Sequence, residues 1–370
     1  MKKVFLKMKN KYNILSAISI LALMVFTAGC DFCNYGPGDY VMEESDIYYT
    51  SSPVNSLVPS IFRIGLDGKG MHEIVRNAQI YSCPSKTKKI VYISNYSPKA
   101  KFIYLANIDG TKPEVLAKED FANSMLYPQI SYNGKHIVVN DVNYGLWLIR
   151  NDKSTLKLSD KLCRNTLPSF SPDGTKLAYY EGDELYNPLN IVILNMEVEP
   201  PVEIARKVHS TGLMKYTGLA TITWSPDGQK ICYAISKNSI TDYLLIGDYD
   251  SPSAQKYEVT SIGLFQPAIN SDLTKVVFSA RDGNLWLTDF ANTKRRFIRL
   301  TSSGRVSKSL YPEWSKDEKH ILYVKQFKKD ADIMNASLEI IDLDTNIRDI
   351  KDNKLRVLSS NVYKGYWNFR

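Results

Sequence analysis

The chain has 370 residues, 44% of them apolar, and a formal net charge of +8 at pH 7. That apolar content is enough to bury a large core. The charge is concentrated at the start: outside residues 1–29, 42 basic residues face 39 acidic ones, which excludes the basic footprint of a nucleic-acid-binding surface.

Residues 1–29 read as an export signal. Lys2, Lys3, Lys7, Lys9 and Lys11 precede an apolar run from Ile14 to Phe26. The run is too short for a permanent membrane span and suits a signal core. Thr27-Ala28-Gly29-Cys30 then resembles the bacterial lipobox, with Thr27 where that pattern prefers leucine. The resemblance implies diacylglycerol on Cys30 and a lipid anchor to a membrane of the cell envelope, on its periplasmic face or at the cell surface. Residues 30–44 are rich in Gly, Pro, Asp and Asn, the composition of a tether. The first-domain signal therefore begins at residue 45 and continues to 370. Of the other cysteines, Cys83 and Cys232 fall at apolar strand positions and read as buried thiols. Cys33 and Cys163 fall in irregular stretches, where a disulfide is the alternative to two thiols.

Beyond the tether the pattern is β throughout. Three strands come first, at Ile47–Thr50, Ile61–Ile64 and His72–Val75. Six fuller repeats follow, each a strand, a polar turn, an apolar second strand, a third strand and a short fourth. Second strands start at Ile47, Ile90, Ile137, Leu177, Ile231, Val276 and Ile321, at intervals of 40 to 54 residues. Third strands recur at Ile103–Leu105, Leu146–Leu148, Ile191–Ile193, Leu244–Ile246, Leu285–Leu287 and Leu338–Ile340. Periods of this length carrying four strands mark the blades of a propeller, so the fold expected is all-β with seven four-stranded blades.

The turns explain the repeat. Ser171-Pro172-Asp173-Gly174 and Ser225-Pro226-Asp227-Gly228 offer residues that tolerate positive φ, as a two-residue hairpin requires. Phe170, Trp224 and Trp314 precede the turns and are expected to fill the wedges between neighbouring blades. The first repeat lacks an opening strand, and Trp367 near the end occupies a Trp224-like position with no turn after it. The simplest ring is closed by the C-terminal strand pairing with the first blade, which removes an exposed edge.

Ser-Pro-Asp-Gly-x-Lys followed by an apolar strand resembles the TolB-like, WD-like propeller repeats over roughly residues 45–370. The resemblance implies a propeller that binds other molecules in the envelope. TolB proteins carry an additional amino-terminal α/β domain and act in the Tol-Pal system; the signal and tether leave no room for that domain here.

Candidate chemistry is sparse. His136 and His320 share one repeat position with Lys176, Lys230 and Lys275, so they read as turn residues. Without imidazoles converging there is no expected metal site or cofactor. Neither a Gly-x-Ser-x-Gly elbow nor a Gly-rich phosphate loop occurs. Asp173 and Asp227 sit in turns. The expected role is non-catalytic: a binding or assembly module for an envelope protein partner. A glycan-binding or oligogalacturonide-lyase-like propeller and a Tol-Pal component are the alternatives. The binding face expected is the rim that carries the longer loops, with Tyr96, Tyr127, Tyr144, Tyr186, Tyr216, Arg281, Arg305 and Tyr311 as its aromatic and arginine contacts.

Overall fold

The structure, a computed structural model, describes residues 46–52, 59–82, 87–97, 100–117, 125–141, 143–162, 166–182, 188–208, 222–236, 241–260, 265–290, 297–303, 307–315, 317–327, 335–343 and 354–369. The stretches read as an export signal (1–29) and a tether (30–44), with Cys30, Cys33, Cys83 and Cys163, lie outside them. The described residues are all β, with no helix. In chain order β1 (Asp46–Ser52), β2 (Ser60–Gly65) and β3 (His72–Val75) come first. Sheet I is β4 (Ala78–Ser82), β5 (Lys89–Ser97), β6 (Ala100–Asn107) and β7 (Glu114–Ala117). Sheet II is β8 (Met125–Ile130), β9 (Ile137–Asp141), β10 (Leu146–Ile149) and β11 (Thr155–Ser159). Sheet III is β12 (Ser169–Phe170), β13 (Lys176–Gly182), β14 (Pro188–Asn195) and β15 (Val202–Val208). Sheet IV is β16 (Thr223–Trp224), β17 (Lys230–Ser236), β18 (Thr241–Asp248) and β19 (Gln255–Thr260). Sheet V is β20 (Phe265–Ile269), β21 (Lys275–Ser279), β22 (Leu285–Asp289) and β23 (Ile298–Arg299). Sheet VI runs β24 (Ser307–Trp314), β25 (His320–Phe327), β26 (Asn335–Asp342), β27 (Lys354–Phe369), then β1, β2 and β3.

Each second and third strand falls where the repeat puts it. The end of the chain differs in one respect. The closing strand and the fourth strand of the last repeat are a single element, β27, 16 residues long. Its first part pairs with β26, from Asp342↔Lys354 to Asn335↔Tyr363, and its last part pairs with β1, where Tyr49 faces Trp367.

Hydrophobic clusters lie between sheets. One joins Tyr48 and Ile61 of sheet VI to Ile90 and Tyr92 of sheet I. Others join sheets I and II, sheets II and III, sheets III, IV and V, and sheets V and VI. This placement makes the second strands apolar on both sides. Leu177, Ala178, Tyr179 and Tyr180 are consecutive and all buried, because sheet III has a neighbour on both faces. Cys232 is a buried thiol in the cluster that joins sheets III, IV and V. A lone sheet would leave both faces in water, so stability is shared between neighbours.

The wedge aromatics have a polar handle as well. Trp224 Nε1 donates to the Ser169 carbonyl of the preceding sheet at 3.1 Å, and Trp314 Nε1 to that of Ala268 at 3.0 Å. Both acceptors sit on first strands, which are sheet edges. Edge position also explains why Pro128, Pro267 and Pro312 are tolerated within β8, β20 and β24.

Candidate functional site

The repeated turn is larger than the two-residue hairpin expected from Asp-Gly. Ser171 N donates to Lys176 O at 2.9 Å, leaving four residues between the closing pair. The reason is the serine. Its Oγ donates to Asp173 Oδ1 (2.5 Å) and accepts from Lys176 N (2.9 Å), while Asp173 Oδ1 also accepts from Thr175 N (3.0 Å). Ser225-Asp227-Gln229-Lys230 repeats this at 2.5, 2.8 and 3.0 Å, and Ser315-Asp317-Lys319-His320 at 2.5, 2.8 and 3.1 Å. In β20–β21 Asn270 takes the serine's place, its Oδ1 accepting from Lys275 N at 2.7 Å. Gly174 and Gly228 adopt φ of 71° and 66°; where glycine is lost, Leu273 and Glu318 hold φ of 60° and 56°.

These bonds set the charges. Burial pushes the carboxyls of Asp173, Asp272 and Asp317 up, but the hydroxyl and amide donors and nearby cations outweigh it and hold all three below the usual range. The Ser225 hydroxyl is the leading cause of the same lowering at Asp227. The turn aspartates are ionised structural groups.

Neighbouring turns meet at several seams. Asn133 Nδ2 of sheet II donates to Asp173 O of sheet III at 3.0 Å. At the next seam Gly228 lies against Pro172, and Lys207 Nζ of β15 crosses to the carbonyls of Asp248 (2.7 Å) and Ser251. Between sheets V and VI, Glu318 accepts from Ser271 N at 2.8 Å, from Asn270 Nδ2 at 3.1 Å and from the Ser271 hydroxyl.

The seam between sheets IV and V is built differently. There the turns 225–230 and 271–274 flank a cleft of ≈ 510 Å³. Ile246 and Leu273 line it with Tyr257 and Phe290, whose rings stack with centroids 4.0 Å apart and planes inclined 26°. Asp227, Asp272 and Lys230 supply its charged lining. The volume falls within the ~300–1,000 Å³ typical of ligand pockets. Phe290 shares its repeat position with Ile108, Met196, Tyr249 and Leu343, each of whose N–H groups donates to the carbonyl just before the second strand, and nothing in that pattern marked it or Tyr257 as lining a cleft.

The residues expected at the loop rim scatter. Tyr186, Tyr216 and Arg305 lie outside the described residues, and Tyr96 lies in β5. The stretch 94–101 is itself mostly strand, with Ser97 paired to Ala100. Arg281 is exposed in the β21–β22 turn and Tyr144 half-buried in the β9–β10 turn, both at the end of the sheets opposite the cleft. Tyr127 and Tyr311 depart from the expectation of loop residues: they lie inside β8 and β24. Each precedes a proline, sits at a register shift and has positive φ, 54° and 66°. Tyr127 is 6% exposed, and Tyr311 packs on the cluster that contains it. Burial, then the neighbouring Tyr311, push the Tyr127 hydroxyl well above the usual phenol range. Two first strands from sheets II and VI thus bring Tyr127 and Tyr311 together, although burial leaves little of Tyr127 for an outside partner.

No protein-family model and no curated protein matches the chain. Solved structures do. A puromycin-hydrolyzing peptidase of Mycobacterium tuberculosis aligns at 13% identity over 92% of this chain and 55% of that one, with a TM-score of 0.59. The Cps50 (Swd1) β-propeller domain of Myceliophteria thermophila aligns at 9% identity over 78% and 95%, with a TM-score of 0.52. TolB from Acinetobacter baumannii aligns at 14% over 86% and 82%, with a TM-score of 0.48. At these identities the likeness gives the fold alone: a β-propeller, shared by proteins of unlike activity.

Proposed function

We propose that the protein is a seven-bladed β-propeller, anchored to the cell envelope by lipid on Cys30, that works as a non-catalytic binding module for an envelope protein partner. Seven blades follow if sheet VI is two blades sharing β27, whose first part is the outer strand of one and whose last part is the inner strand of the other. The Tyr49↔Trp367 pairing and the succession of clusters from sheet to sheet support ring closure. The observation that carries the binding role is the contrast between turn carboxylates committed to their own turns and a walled cleft at one seam. Such aspartates hold shape, whereas a preformed concave site with aromatic lining takes a ligand.

The anchor is tested by labelled palmitate, which should enter the wild-type protein and not Cys30→Ala. The binding role is tested by crosslinking in intact cells, with one defined envelope protein expected as the product. Turnover of a glycan or peptide by the purified protein would overturn the non-catalytic reading. A glycan ligand is the second reading, favoured by the stacked Tyr257 and Phe290 at the cleft. A glycan array separates the two, and a crosslink to peptidoglycan-associated lipoprotein would make the protein a Tol-Pal component.

A further inference from the structure

We propose that the turn rim over sheets I and II rests on an anionic phospholipid surface, the one that holds the lipid of Cys30. The propeller then stands tilted, with the cleft between sheets IV and V clear of the membrane. This rests on the reading of Cys30 as the anchored residue and says which part of the domain meets the bilayer.

The point of attachment comes first. β1 is the described strand nearest Cys30, and it starts at Asp46, opposite Gly65. Gly65 N donates to Lys69 O at 2.9 Å and closes the β2–β3 turn. The chain from Cys30 therefore joins the domain at the rim of tight turns, beside this one. From Cys30 to Asp46 it can reach at most about 55 Å, at ~3.3–3.6 Å per residue. A tether of that length holds the rim at an effective concentration on the order of millimolar over the lipid, so contacts too weak for a free protein are populated.

Charge picks the sector. In sheets III, IV and V the turn into the second strand matches an acid with a lysine three residues on: Asp173 with Lys176, Asp227 with Lys230, Asp272 with Lys275. Sheets I and II keep the cations and lose the acid. Lys88 and Lys89 follow Thr87, and Lys135 follows Asn133-Gly134. These two turns abut, since a Cβ on Gly134 would lie 2.8 Å from Thr87 Cγ2. Ile108 N donates to Lys88 O at 2.9 Å, which brings the β6–β7 turn with its exposed Lys112 alongside. Asp67 and Asp109 face Lys69 and Lys112 from their own turns, whereas the turns of Lys88 and Lys135 contain no carboxylate. Met71, just beyond Lys69, is 56% exposed, more than any other large apolar side chain among the described residues.

Unmatched lysines and an exposed thioether, next to where the anchored chain enters, fit an anionic headgroup layer. Ammonium groups meet its phosphates while Met71 enters the interface. The matched turns of sheets IV and V gain nothing there, so their side is raised.

The test uses the full-length protein reconstituted into vesicles of phosphatidylethanolamine and phosphatidylglycerol, with a photo-crosslinking residue in place of Met71, Lys230 or Arg281. Crosslinks to phospholipid should be about fivefold more frequent from position 71 than from 230, on the same rim, or from 281, on the opposite one. Lys88→Gln with Lys112→Gln and Lys135→Gln should lower the yield from 71 about threefold or more, as should vesicles of phosphatidylcholine alone, with the melting temperature unchanged. Equal yields from all three positions describe a domain turning freely on its tether; they overturn the proposal and leave the anchor standing. A yield from 230 matching that from 71 overturns the tilt and with it the proposal, as does a yield from 71 indifferent to the lysines and to lipid charge. Protein that does not float with the vesicles overturns the anchor and the proposal together.

Discussion

Sheet IV has two flanks made by the same turn, and they behave differently. Toward sheet III the Ser225–Lys230 turn is pressed on Pro172, Trp224 reaches the Ser169 carbonyl, and Lys207 crosses to Asp248 and Ser251. Toward sheet V the turn faces Ser271–Thr274 across a cleft. Identical turn chemistry therefore seals one seam and borders a cavity at the other. The turn fixes the local hairpin; what lies between blades is decided by the side chains that cross. The sealed flank should be sensitive to substitution and the open one tolerant, which gives a graded set of tests.

The largest effect is expected from Trp224→Ala. It removes a fully buried indole and the bond to Ser169, and large-to-small changes of that kind cost about 3–5 kcal/mol. Urea unfolding should show the loss as a lower midpoint. Trp224→Phe restores most of the packing without the donor to Ser169 O, which keeps its strand partner Ala178, and should cost about 0.5–1.5 kcal/mol. If the two variants were equally stable, the crossing bond rather than packing would hold the seam.

Next comes Lys207. Its residue is 4% exposed, and burial, its leading influence, lowers its affinity for a proton. Lys207→Ala removes a charged donor shared by two carbonyls of the neighbouring sheet, with an expected cost of roughly 1.5–3 kcal/mol. The matching change on the V/VI seam, Glu318→Ala, should cost somewhat less, about 1–2 kcal/mol, since Asn270 Nδ2 keeps Thr274 Oγ1 as an acceptor and Ser271 is only half-buried. Thermal melts of the two variants rank the seams directly.

Much of this arrangement was legible in the sequence. Apolar second and third strands, spaced by polar turns, could be placed because strand period and turn chemistry are local properties, whereas the joining of seven strands into sheet VI, where four-stranded units were expected, was not legible. The pairing of Trp367 with Tyr49 could be anticipated for the same reason: a strand was missing at one end and surplus at the other. Side chains acting between repeats were harder to read. The serine two places before Asp173 recurs at 225 and 315, a visible signal whose meaning needed the geometry of the closed loop. Leu-Tyr-Pro occurs at both 126–128 and 310–312, and it marks the register shifts that bury Tyr127 and half-bury Tyr311. Tyr257 and Phe290 come from different repeats and different repeat positions, so only the packing of sheet IV on sheet V could join them.

A smaller effect distinguishes the turn's own chemistry from that of the seam. Ser225→Ala removes the hydroxyl that bonds Asp227 and Lys230 and should cost about 1 kcal/mol at pH 7. Its pH dependence carries the more specific expectation. Asp227 is held below its unfolded value, so its ionised form contributes stability that is complete above about pH 3.9 and is lost as pH falls through the folded value. In the alanine variant the leading cause of that lowering is gone, and less remains to be lost. The stability difference between wild type and variant should therefore shrink as pH drops below about 4. Urea midpoints measured from neutral to acid pH would give parallel curves instead if the serine acted through packing alone.

The open flank should yield the smallest change. Lys230 is exposed and its charge borders the cleft rather than bridging a seam. Lys230→Ala is expected to alter stability by less than about 0.5 kcal/mol, in line with surface substitutions. A loss of stability as large as that of Lys207→Ala would mean that Lys230 closes the seam after all. The two flanks of sheet IV would then differ in degree, and the cleft would be a gap in packing that its neighbours tolerate.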